Sequence, residues 1–118
     1  NCESSAESES LRAECHLSLG DFADAELSLE KAFQFDAHHS RGLMIKATLA
    51  REQGNLNLAG STLKLAVEQH PFEFDFRAQL MSVLVAQGKR DDAEIQKQEM
   101  QRLQALLTKF TELHHFFF

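Results

Sequence analysis

The chain has 118 residues, of which 43% are apolar, and this size and composition fit one folded domain with its own core. Its formal net charge of −6 is uneven: residues 1–39 carry nine acidic and two basic side chains (−7), whereas residues 40–73 carry +1 and residues 74–118 carry 0. Nucleic-acid binding requires concentrated basic charge, and membrane spanning requires about 18 consecutive apolar residues, so the sequence argues against both.

The acidic first third begins with a polar leader. Residues 1–10 are rich in serine and glutamate and are predicted to run as a leader into the first helix. Cys2 followed by this tether resembles the start of a mature bacterial lipoprotein. A lipid-anchored or periplasmic protein is therefore an alternative to the favoured cytoplasmic one, although no signal peptide is visible. The acidity itself indicates either a solvated surface or a face that attracts a basic partner.

The first pair of helices is predicted on either side of Gly20. Apolar spacing indicates one helix over about 7–19, with Leu11 and Cys15 on its apolar stripe, and another over about 22–35. Glycine supplies the positive φ that ends a helix, and Asp21 is the expected N-cap of the next one. Cys15 is expected to pack as a small hydrophobic side chain, and two cysteines are too few for a disulfide framework.

The second pair of helices is predicted on either side of Gly54. Ser40 is the expected N-cap of a helix over about 40–53, and Asn55 precedes a helix over about 56–69. Pro71 closes this pair, because proline restricts the residue before it and cannot continue a helix.

The third pair differs from the others in the length of its second helix. A helix is predicted over about 75–87, with Phe72 and Phe76 packing against the preceding pair. After Gly88, Asp91 and Asp92 suit a helix start, and no glycine or proline follows. The sequence therefore predicts an amphipathic helix of about 25 residues that ends near His115.

These three pairs recur with one constant period, since Gly20, Gly54 and Gly88 are evenly spaced. A period of roughly 34 residues with helical patterning inside it is typical of a helical repeat array. It places the repeats at about 6–39, 40–73 and 74–107, inside a single domain over 6–118. One helical hairpin cannot bury its apolar face alone, so neighbouring hairpins must stack. The positions that recur, together with the closing proline, are Gly20, Gly54, Gly88, Ala25, Ala59, Ala93, Ala32, Ala66 and Pro71.

The order of small residue, glycine, large residue, two alanines and proline resembles the tetratricopeptide repeat family. The second unit carries it best, in Ala47, Gly54, Asn55, Leu56, Ala59, Leu63, Ala66, His70 and Pro71. The chain departs from the family where an aromatic residue usually opens the first helix of a unit, since Glu9, Leu43 and Arg77 stand there. The third unit has Met100 in place of the later alanine, and Ala37 replaces proline after the first unit.

The resemblance implies an all-α, right-handed solenoid that binds a protein partner on a concave face formed by the first helix of each hairpin. The lysine and asparagine pairs with which some family members hold a terminal carboxylate are missing. An amphipathic peptide or helix is therefore the expected ligand. The expected contact residues are Ser10, Glu14, Leu17, Met44, Ile45, Thr48, Arg51, Glu52, Gln79, Ser82 and Val85.

The long last helix supports a second hypothesis, which is self-association into a homodimer. Its apolar residues recur at steps of three and four, and the sequence ends in three phenylalanines that are costly to expose to water. The residues expected to meet a second copy are Leu103, Leu106, Phe110, Leu113, Phe116, Phe117 and Phe118.

The sequence contains no motif for catalysis, a metal or a cofactor. The six histidines include no His-x-x-x-His pair, and the adjacent pairs at 38–39 and 114–115 point about 100° apart on a helix. The five glycines form no phosphate-binding loop. A non-enzymatic interaction module without metal or cofactor is therefore expected.

Overall fold

The computed structural model describes residues 4–117, with the backbone alone at 116 and 117. The lipid-anchor alternative at Cys2 and the self-association expected of Phe118 lie outside these residues. Within them the protein is all-α, as predicted, and no strand is present. The helices are α1 (Ala6–Ser18), α2 (Phe22–Phe35), α3 (Ser40–Glu52), α4 (Leu56–Gln69), α5 (Phe74–Ala86) and α6 (Arg90–Phe117).

The same turn closes α1, α3 and α5. Gly20, Gly54 and Gly88 have φ values of 79°, 76° and 78°, as predicted for helix-ending glycines. In each turn the glycine N–H donates to the carbonyl three residues back, and the next N–H donates to the carbonyl five residues back. These two bonds satisfy the last carbonyls of the helix and fold α1 onto α2, α3 onto α4 and α5 onto α6.

The helix starts are capped in different ways. The Ser5 hydroxyl accepts from the Ser8 N–H at 3.1 Å in a capping box, so α1 begins inside the stretch predicted as a leader. Asn55 caps α4 as predicted, since its side chain accepts from the Leu58 N–H at 3.1 Å. Asp21 stands at the N-cap position of α2, as predicted, but its side chain makes no capping hydrogen bond. Ser40 is the first residue of α3 rather than its cap, and its hydroxyl donates to Glu73.

The core consists of two apolar clusters that meet at α3. The first joins α1, α2 and α3, and its buried members are Ala13, Ala25, Leu29, Ile45 and Leu49. The second joins α3, α4, α5 and α6 around Leu63, Phe76 and Leu80, each at most 1% exposed. The buried alanines let neighbouring helices approach closely, which explains why they recur at one place in each hairpin.

Three expectations for packing are wrong. Cys15 is exposed, and Leu11 is 46% exposed, because α1 turns Glu9, Ser10 and Ala13 toward the interior. The counterparts of Leu11 and Cys15 in α3, one repeat further along, are buried against the first hairpin, but no described helix covers this side of α1. Phe72 is 56% exposed, since it lies in the turn before α5 and only Phe76 enters the core.

Candidate partner-binding surfaces

The expected contact residues lie on α1, α3 and α5, the first or A helix of each hairpin, and we call them the A-helix face. Part of this face forms an open groove of about 360 Å³ between α1 and α3. Leu17 and Met44 are half-buried in it, and Glu14 and Thr48 are exposed at its edge. The groove thus combines an apolar floor with a polar rim.

Two residues expected on the open surface are buried instead. Ile45 is 5% exposed and belongs to the core cluster between the first two hairpins, although it contributes to the groove floor. Ser10 is fully buried, and its Oγ would lie 3.3 Å from a Cβ added at Gly42. Both residues lie between α1 and α3, so Ser10 offers no surface to a partner and Ile45 offers very little.

Arg41 is a polar residue of this groove that the sequence analysis missed. Its Nε lies 2.6 Å from Glu7 Oε1 and its Nη1 lies 3.1 Å from Glu14 Oε2. These pairs connect α1 with α3 across the end of the groove. The only signal in the sequence is that Glu7 and Arg41 stand one repeat apart, at matching places in consecutive hairpins.

The second half of the A-helix face has a different character. Arg51 on α3 donates to the Gln79 side chain and, at 3.4 Å, to Ser82 Oγ. These two hydrogen bonds bridge α3 and α5. Glu52 is exposed, and Val85 is 52% exposed. The structure therefore groups the expected residues into one groove and one hydrogen-bonded bridge rather than one continuous channel.

Three of the expected self-association residues, Leu106, Phe110 and Leu113, form an apolar stripe on the last part of α6 together with Leu107. Leu106, Leu107, Phe110 and Leu113 are 49%, 44%, 68% and 59% exposed, and we call them the C-terminal stripe. Leu103 does not belong to it, because it is 8% exposed and already packed within the chain. The side chains of Phe116 and Phe117 and all of Phe118 lie outside the described structure.

Glu9 and Arg77 are charged residues buried at the position where a tetratricopeptide repeat usually has an aromatic side chain. Glu9 is 2% exposed, and its Oε1 lies 3.5 Å from Arg12 Nη1. Arg77 is 6% exposed and donates from Nη1 to Gln96 Oε1 at 2.7 Å. Burial lowers the pKa of Arg77, an effect that nearby Glu99 partly offsets. These groups lie inside the hairpins and belong to neither surface.

One mixed cluster of histidine and carboxylates was not foreseen. His16, Asp21 and Asp24 bring one ligand atom each within 4.8 Å of one another across the Gly20 turn. Both aspartates are exposed, and His16 Nδ1 lies 4.0 Å from Asp21 Oδ2. The spacing of these three residues, with the glycine turn between His16 and Asp21, does not match a His-x-x-x-His pair.

No protein-family model matches this sequence, and no curated protein matches it. Within residues 4–117, none of the helices combines the length and the apolar character needed to cross a membrane.

Proposed function

We propose that this protein is a non-enzymatic interaction module, built as a right-handed, tetratricopeptide-like solenoid, that binds an amphipathic peptide or helix on the A-helix face. The recurrence of one glycine turn at a constant interval supports the architecture. The observation that carries the binding proposal is the groove between α1 and α3, with Leu17 and Met44 on its floor.

The groove suits a helix or extended segment with two apolar anchors better than a charged terminus. Its apolar residues accept anchor side chains, while Glu14, Arg41 and Thr48 offer both charges and a hydroxyl at the rim. Since the Arg41 guanidinium is already paired with Glu7 and Glu14, it is not available to bind a terminal carboxylate. Amidating the C-terminus of a bound peptide is therefore expected to leave its affinity unchanged.

The test starts from a library of peptides of about 12 residues, a length that spans roughly one side of a small helical module. Peptides that bind the folded chain are selected from this library. Affinities of the selected peptides are then measured for Leu17→Lys and Met44→Lys, with Phe35→Lys as the matched control. Phe35 is 56% exposed on α2 and does not line the groove. We expect each groove variant to weaken binding about tenfold or more, as for an apolar anchor position, and the control to be silent.

Peptides that bind the groove variants and the wild-type chain equally well would contradict the proposal. Circular dichroism and thermal unfolding of each variant separate loss of binding from loss of folding. If the two lysine variants unfold, Thr48→Arg tests the same groove at an exposed position.

Self-association is the second candidate function, and the C-terminal stripe favours it. Four large apolar side chains recur along one part of α6 without a described helix against them. Lys109 and Glu112 are the only Asp, Glu, Lys or Arg residues in 103–115, and they have opposite signs, so two copies of this segment would not repel each other strongly. Phe110→Glu is expected to abolish any dimer while leaving the fold intact.

A further inference from the structure

A second depression lies between α2, α3 and α4 and shares no lining residue with the groove of the A-helix face. It has a volume of about 270 Å³. Leu29, Phe33 and Leu49 form its apolar floor, and Glu26, Glu30 and Lys46 contribute charged groups to its lining. We call it the α2–α4 cleft.

The cleft exists because the first two hairpins meet through different residues from the second and third. Gly60 on α4 faces α5, and a Cβ there would already be in ordinary contact, 3.7 Å from Val83 and from Gln87, which leaves little room for a longer side chain. The counterpart of Gly60 in α2 is Glu26, which cannot fit into such a contact and remains exposed. The space that α5 fills beside α4 is therefore left open beside α2.

The charged groups of the cleft also differ from the groups at the second junction. The counterparts of Glu26, Glu30 and Lys46 at the second junction, one repeat further along, are Gly60, Lys64 and Leu80. Leu80 is fully buried, whereas Lys46 is half-buried. An apolar contact at one junction thus corresponds to a charged, open cleft at the other.

The charges of the cleft favour a cation. Glu26 and Glu30 are one turn apart on the same side of α2, and together with Lys46 they give the cleft a net charge of −1. Glu26 Oε1 accepts from Gln53 Nε2 at 3.3 Å, which holds one carboxylate at the rim. The first third of the chain, with a net charge of −7, adds to the attraction for positive charge.

Lys46 shows how a cation fits here. Its ammonium lies 5.8 Å from the centre of the Phe33 ring, within range of a cation–π contact. Lys46 as a whole is half-buried, and a lysine stem can lie along apolar surface while its ammonium remains hydrated. A second alkylammonium group entering the cleft would meet the same floor and the two glutamates, and would compete with Lys46 for the ring.

We propose that the α2–α4 cleft binds a lysine side chain of a partner protein. The ammonium lies between Glu26 and Glu30, and the methylene stem lies on Leu29, Leu49 and the Phe33 ring, with Lys46 displaced. This site goes beyond the proposed function, because its residues and its ligand chemistry are separate from those of the A-helix face.

The test follows amide chemical shifts of the ¹⁵N-labelled chain during titration with Nα-acetyl-lysine N-methylamide. Hexylammonium, hexanol and hexanoate serve as comparison probes. We expect the lysine probe and hexylammonium to shift amides around Leu29, Phe33 and Leu49 and to leave those around Leu17 and Met44 unmoved. Hexanol and hexanoate are expected to bind more weakly, since both lack the ammonium.

Variants assign the effect to the named charges. Because each exposed ion pair contributes a factor of about two to five, Glu26→Gln combined with Glu30→Gln is expected to weaken lysine-probe binding about tenfold. The control is Glu94→Gln, which changes the exposed counterpart of Glu26 in α6 and should have no effect. Lys46→Met removes the competing cation and is expected to strengthen binding about two- to fivefold.

Three results would each overturn the proposal. Hexanol binding as tightly as hexylammonium would mean that the cleft recognises only apolar surface. Weakening by Lys46→Met would mean that Lys46 recruits the ligand rather than competes with it. Binding of hexylammonium without binding of the blocked lysine probe would assign the cleft to free amines instead of a protein-borne lysine.

Discussion

Glu9, Leu43 and Arg77 occupy one equivalent position in the three hairpins, and all three side chains are buried. Leucine satisfies this environment through burial alone. Glutamate brings a charge into it, and Glu9 Oε2 has no hydrogen-bond partner among the described residues. A buried carboxylate that is only partly paired costs stability, because its hydration is not fully replaced.

Glu9→Leu is therefore expected to raise the free energy of unfolding by about 1–3 kcal/mol. The measurement is urea unfolding followed by circular dichroism, with Glu94→Leu as the control, since Glu94 is exposed and its replacement buries nothing. Destabilisation by Glu9→Leu would show that the carboxylate is held by interactions stronger than the pair with Arg12 at 3.5 Å.

Gly54 isolates the contribution of backbone conformation. A Cβ at this position meets no atom within 4 Å, so the cost of any side chain arises from the φ of 76°. Gly54→Val is expected to lower the free energy of unfolding by about 1–2 kcal/mol, and Gly54→Asn by less, because asparagine tolerates this conformation. Equal losses for valine and asparagine would contradict this explanation.

The sequence identified residues whose role depends on their own geometry or their immediate neighbours. The positive φ of Gly20, Gly54 and Gly88 and the burial of Ala25 and Ala59 are of this kind. The predicted exposure was wrong for Cys15 and Ile45, because the burial of these side chains depends on whether another hairpin covers that side of the helix. Periodicity in one helix does not contain that information.

At the scale of the helices, Ala59 lies where the two helices of the second hairpin, α3 and α4, pack closely. Ala59 is fully buried in the larger core cluster, where no space is left for a ring. Ala59→Phe is expected to destabilise the protein by about 1–3 kcal/mol through overpacking. Ser61→Phe, at an exposed position on the same helix, is the control for helix propensity. Comparable losses in both variants would mean that α4 does not pack through Ala59.

The helix α6 was predicted with nearly its observed length, since nothing after Gly88 interrupts it. Its last part contributes little to the core, because every residue from 104 to 115 is exposed. A chain that ends at Leu107 is therefore expected to keep its free energy of unfolding within about 1 kcal/mol, as for other frayed or exposed segments. A larger loss at micromolar concentration would show that the stripe is buried in solution.

At the scale of the whole molecule, the stacking of hairpins determines where partners fit. The junction of the first two hairpins leaves two depressions, which are lined by separate sets of residues. Much of the A-helix face was expected from the resemblance to the tetratricopeptide repeat family, including Glu14, Leu17, Met44 and Thr48. Arg41 and the α2–α4 cleft were not, since they depend on how far apart neighbouring helices settle.

The two candidate functions differ in the state of the chain in solution: partner binding on the A-helix face as the main function predicts a monomer, and self-association through the C-terminal stripe predicts a homodimer. Light scattering of the full chain across micromolar to millimolar concentrations distinguishes these two predictions most directly, with Phe110→Glu beside it. We expect the mass of one chain for both proteins at every concentration. A wild-type mass that rises toward two chains and falls back to one in Phe110→Glu would contradict the proposal and assign the function to the C-terminal stripe.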